Sequence, residues 1–90
     1  MTVRVRFFAQ FRERYGGDHM IDPPPGATVA DVVRTVAGAG AEDSAVGPDG
    51  RLRDYVILMR NGWRLEHDEA ETETVADGDE LAVFPPVAGG

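Results

Sequence analysis

The sequence predicts an α+β domain in which one main helix packs on one face of a mixed sheet, and three features predict it. Val3, Val5 and Phe7 alternate with Thr2, Arg4 and Arg6, the two-residue period of a half-buried strand. Val29, Val32, Val33 and Val36 recur at the spacing of one helical face. Asn61-Gly62 stands between two apolar runs and is a strong hairpin signal.

The remaining elements follow in order. Thr2 to Phe8 is the first strand. Ala9 to Tyr15 carries Phe11 and Tyr15 four apart and stops at Gly16-Gly17, which predicts a short helical turn. Asp18 to Asp22 is a short second strand closed by Pro23-Pro24-Pro25-Gly26. Thr28, with Asp31 three residues on, is close to a capping box and opens the main helix. Valines are weak helix formers alone, so packing must hold it, and Gly38 and Gly40 end it. Residues 38 to 54 are polar and glycine-rich, with a turn at Gly47-Pro48-Asp49-Gly50. Tyr55 to Met59 is uniformly apolar and reads as a strand; Trp63 to Leu65 is its return. Residues 66 to 80 are acidic and read as a solvated edge ending in a turn at Asp77-Gly78-Asp79-Glu80. Leu81 to Phe84 is the final strand.

Ninety residues make one small domain with no room for a separate catalytic one. A net charge of −7 and a pI near 4.6 exclude a general nucleic-acid binder and favour a partner with a basic surface. No apolar run reaches membrane-spanning length and the N-terminus lacks a signal-peptide pattern, so the expected location is the cytoplasm, with no membrane partner. Cysteine is absent, which removes disulfides, thiolate zinc sites and thiol nucleophiles. Lysine is absent too: all nine basic residues are Arg, whose guanidinium stays protonated and is no acyl acceptor. His19 and His67 stand alone, the Asp77–Glu80 turn lacks the calcium-loop pattern, and no Ser/His/Asp spacing is present, so no metal site is expected.

The informative segment is the C-terminal one. Pro85 and Pro86 cannot continue a ladder, so they end the sheet at Phe84 and start an extended tail. The division is thus a domain over 1–84 and a tail over 85–90: Pro85, Pro86, Val87, Ala88, Gly89 and Gly90. A glycine pair suits a backbone that threads a narrow channel, which makes the Gly90 α-carboxylate the expected reactive group.

Several motifs together carry a family resemblance: Phe7-Phe8-Ala9, Arg12-Glu13, Thr28-Val29-Ala30-Asp31-Val32, Asn61-Gly62, and above all the run from Asp77 through Phe84-Pro85-Pro86-Val87-Ala88-Gly89-Gly90. The chain resembles the ubiquitin-like sulfur carriers, the molybdopterin synthase small subunits and thiamine-pathway carriers (MoaD and ThiS), and especially the small archaeal modifier proteins. The resemblance implies a β-grasp fold. It implies that an E1-like activating protein adenylates Gly90 with ATP, so that this chain binds no cofactor and is not itself an enzyme. The acyl group then becomes a thiocarboxylate, a sulfur donor beside the molybdopterin synthase large subunit, or an isopeptide on lysines of target proteins. Carriers for thiamine or transfer-RNA thiolation, and a non-covalent interaction module with an inert tail, are the alternatives. The family docks through the open sheet face, and the candidates for it here are Phe8, Ile57, Met59 and Phe84.

Overall fold

The computed structural model describes residues 1–40 and 44–86. Strand β1 (Val3–Phe7) leads into helix α1 (Ala9–Tyr15) and strand β2 (Asp18–Ile21). Helix α2 (Val29–Ala37) follows, then β3 (Ile57–Arg60), β4 (Trp63–Leu65), α3 (His67–Thr72) and β5 (Glu80–Phe84). The strands form a five-stranded sheet in the order β2-β1-β5-β3-β4. β1 and β5 are its parallel central pair; the other pairings are antiparallel.

The alternation in β1 does what its period predicts. Val3, Val5 and Phe7 are buried with Leu58, Leu81 and Val83 against Val29, Ala30, Val32 and Val33 of α2. Val36 is only partly buried at the rim of that core. The α2 N-terminus is a full capping box: Asp31 N–H donates to Thr28 Oγ1 and Thr28 N–H donates to Asp31 Oδ2, both at 3.1 Å. Asn61 and Gly62 take φ of 52° and 85°, as a two-residue type I′ hairpin requires.

Three readings of the sequence need correction. The strand expected from Tyr55 begins at Ile57: Tyr55 is 42% exposed in a turn, while Val56 is buried ahead of the ladder. The apolar run is therefore part turn, part core and part strand. The acidic stretch after Leu65 is not only a solvated edge, because α3 lies within it. Ala70 is buried in the core, and Arg34 of α2 makes a bidentate pair with Glu71 (2.8 and 2.9 Å). One small apolar residue is too little period to show a helix in sequence. The polar loop after α2 also contributes to the core: Ala45, Val46 and Leu52 are buried, and a Val46–Leu52 bridge closes the turn at Gly47–Gly50.

No helix among the described residues is long and apolar enough to cross a membrane.

Candidate functional site

The helices cover one face of the sheet, and register identifies what lies on the other. Leu58 and Val83 are paired and buried, so their neighbours Ile57, Met59, Ala82 and Phe84 point to the open side. On β1 the alternation sends Arg4 and Arg6 the same way. Phe8 follows β1 as the cap of α1, and its ring stacks on Phe84 with centroids 4.4 Å apart and planes 12° apart. All four sequence candidates, Phe8, Ile57, Met59 and Phe84, thus share one corner of the open face, and each is half-buried. Ala82 completes that corner; the inside-outside alternation of Glu80 to Phe84 is the signal that gives it away.

The open face is divided along its length. The corner near the end of β5 is apolar. The rest carries ion pairs, Arg4 with Asp18 and Arg6 with Glu80, the latter at 3.4 Å. The Arg4 hydrogen bond holds the Asp18 carboxyl below its ordinary range. Arg6 joins the two regions, its guanidinium carbon 5.3 Å from the centre of the Phe8 ring.

The chain leaves the domain at this apolar corner. β5 ends at Phe84, Pro85 is still buried and Pro86 is exposed. Val87, Ala88, Gly89 and Gly90 lie outside the described residues. The junction between β1 and α1 beside the corner is strained. Ala9 has a φ of 53°, and a positive φ costs an L-residue about 1–2 kcal/mol. No residue type in the sequence signals it.

At the opposite end of β5 the turn before Glu80 hides a polar hub that sequence reasoning missed. Asp79 is 7% exposed. Its Oδ2 accepts from Ala76 N–H (2.8 Å) and from Arg60 Nη2 and Nε (2.7 and 3.1 Å), and its Oδ1 accepts from Asn61 Nδ2 (3.0 Å). Burial pushes this carboxyl up, but the Ala76, Asn61 and Arg60 hydrogen bonds outweigh it and hold it below the ordinary range. The hub ties the hairpin turn to the start of β5 and is structural.

Neither histidine gathers ligands. His19 Nε2 donates to the Tyr15 carbonyl (2.7 Å) and His67 Nε2 to the Val56 carbonyl (2.6 Å). Among the described residues, no three His, Cys, Asp or Glu side chains are placed to hold a metal. An open cleft of about 480 Å³ lies beside the Gly47–Tyr55 segment, lined by Arg51, Leu52, Arg53 and Tyr55 among others. The apolar corner lies apart from that cleft, none of its residues lining it.

A family model described as the ThiS family matches residues 5–90. The chain belongs to that family. Small archaeal modifier protein 3 of Haloferax volcanii is 36% identical over 96 residues, covering the whole of both chains. The molybdopterin synthase sulfur carrier subunit of Aedes aegypti is 38% identical, covering all of this chain and 90% of that one. A crystal structure of SAMP1 from Haloferax volcanii superposes with a TM-score of 0.82 at 36% identity, each chain fully covered. The β-grasp expectation holds for this ThiS-family chain: a mixed five-stranded sheet with the ubiquitin-like arrangement of its relatives. These relatives are small carriers and modifiers rather than enzymes in their own right.

Proposed function

We propose that this chain is a sulfur carrier and protein modifier that works through the Gly90 carboxylate. The observation that carries the reading is that β5 leads into the tail at an apolar corner of the open face, so docking there brings the tail to the partner's reaction centre. The family match running through Gly90 supports it, as do relatives named as a modifier and as a sulfur carrier subunit.

A Gly90 carboxylate oxygen attacks the α-phosphorus of ATP held by an E1-like protein, and pyrophosphate leaves. The acyl adenylate is then open to displacement of AMP. A sulfide-level nucleophile gives the thiocarboxylate; a lysine amine, losing a proton, gives the isopeptide. A glycine carbonyl is unhindered, and Gly89 lets the backbone lie close to the channel wall. ATP, nucleophile activation and any large subunit belong to partners, and the compartment is the cytoplasm.

Intact mass measured after incubation with the E1-like protein, ATP and a sulfur donor tests this. Exchange of one carboxyl oxygen for sulfur, or a covalent protein adduct, is the expected result. An unchanged mass returns the chain to the inert-tail alternative.

Two further outcomes are expected. Ile57→Asp or Met59→Asp should weaken binding to the activating protein at least tenfold and leave the melting temperature nearly unchanged, because both side chains are on the open face. Unchanged affinity in a titration would remove the corner as the docking surface. Conjugates should be single additions per acceptor lysine, since the chain has no lysine and its remaining acceptor amine is the α-amino group. Peptide mass spectrometry that found Gly89-Gly90 remnants on the N-terminus of a second copy would contradict this.

A further inference from the structure

Three features converge where β5 gives way to the tail, and docking alone requires none of them. On the open face Phe84 stacks on Phe8. On the next residue of the alternation, Pro85 is buried, and its ring fixes φ. Behind them the Phe8 backbone is held from both sides. Its N–H donates to the Val83 carbonyl (3.2 Å), and its carbonyl accepts from the Phe11 and Arg12 N–H groups (3.1 and 3.3 Å). The positive φ of Ala9 is what turns the chain from β1 into α1 directly after Phe8. Strain of this kind persists where surrounding contacts over-determine a geometry.

We propose that Phe8, Phe84 and Pro85 form a clamp that fixes the direction in which the chain leaves the domain at Pro85, so that the activating partner meets a tail whose starting direction is already set. The inference rests on the function proposed above. Phe8 is the anchored member, because its backbone is bonded to β5 on one side and to α1 on the other. Phe84 is held against it by the stack, and Arg6 lies near the Phe8 ring. Pro85 is packed on the buried side. The last step of β5 before the tail is therefore gripped from both faces of the sheet. A tail with a set starting direction reacts faster at the same affinity, because less freedom is lost on reaching the reacting geometry. Ile57 and Met59 supply docking area; Phe8 and Phe84 are positioning residues in addition.

Phe8→Leu and Phe84→Leu keep apolar bulk but remove the stack, whereas Phe8→Tyr and Phe84→Tyr keep it. Thiocarboxylate formation by the E1-like protein, read as kcat and as KM for this chain, should show kcat about tenfold lower in the Leu variants. KM should stay within about twofold, and the Tyr variants should retain kcat. Leu variants with full kcat, or Leu and Tyr variants that differ from the parent in KM alone, would overturn the clamp. Phe8→Leu is the decisive variant if Phe84→Leu lowers the melting temperature. Hydrogen exchange of the residue 8 amide, which bonds to Val83, is an independent readout that needs no activation. Faster exchange there in Phe84→Leu supports the clamp, and unchanged exchange rejects it. If the unaltered chain is not adenylated at all, the proposed function fails, and that exchange result still decides the clamp.

Discussion

Removal of Gly89 and Gly90, or addition of residues behind Gly90, should abolish thiocarboxylate and conjugate formation and leave thermal melting unchanged. The two halves of this expectation have separate causes. Stability is unaffected because the described buried residues end before the deletion: Val83 and Pro85 are buried and Pro86 is exposed. Activity is lost because the reacting group is a main-chain carboxylate at one position. At full extension residues 86 to 90 span roughly 17 Å, at about 3.3–3.6 Å per residue. A two-residue deletion shortens that reach by roughly 7 Å and ends the chain on a bulkier residue. Gly89→Val should impair transfer without abolishing it, since β-branching restricts the backbone where it must thread. Intact mass and a melting curve on the same samples check both halves. Persistent activation of the 1–88 chain would show that the carboxylate of Gly90 is not the functional group.

The parts of this molecule legible in its sequence are those whose signal is local and periodic. The Val3–Phe7 alternation, the Thr28–Asp31 cap with its valine stripe, and Asn61-Gly62 each follow from short-range rules, and each appears in the fold as expected. The open-face corner was partly legible, because Phe84 directly precedes the Pro85-Pro86 break and the Tyr55–Met59 run is apolar on both faces. What escaped depends on long-range partners. Ala45, Val46 and Leu52 are scattered among polar residues, and only the closed fold shows that they are buried. Tyr55 looks like strand from its composition and is a turn residue by geometry. The helix from His67 to Thr72 is held by its contact with α2 through Arg34 and Glu71 rather than by an apolar stripe of its own. The aspartate in the turn before β5 reads as one more polar turn residue, since its partners lie 18 and 19 positions away.

That aspartate should be the most costly single polar side chain to remove. Asp79→Ala is expected to destabilise the domain by about 3 kcal/mol, the low end for breaking a buried charge pair by deleting one partner. The low end applies because Arg60 keeps Glu73 (3.2 Å) and the Thr74 carbonyl (3.0 Å), while the Ala76 N–H and the Asn61 amide lose their acceptor. For a domain of this size the melting temperature should fall by roughly 12–24 °C. Asp18→Ala, which removes an exposed pair with Arg4, is the control and should change melting little. The same residue sets an acid limit. Its carboxyl is lowered in the folded state, so its stabilisation is complete above the unfolded value of 3.8 and is lost as pH falls through the lower folded value. Glu71, lowered chiefly by its hydrogen bond to Arg34, and Asp31, lowered chiefly by the Thr28 N–H, share that acid-side loss. Asp79→Asn cannot ionise at that position, so its melting temperature should fall less steeply with acid than that of the parent, without becoming flat. Parallel melting-versus-pH curves for the two proteins would show that Asp79 is not one of the groups whose protonation unfolds the domain.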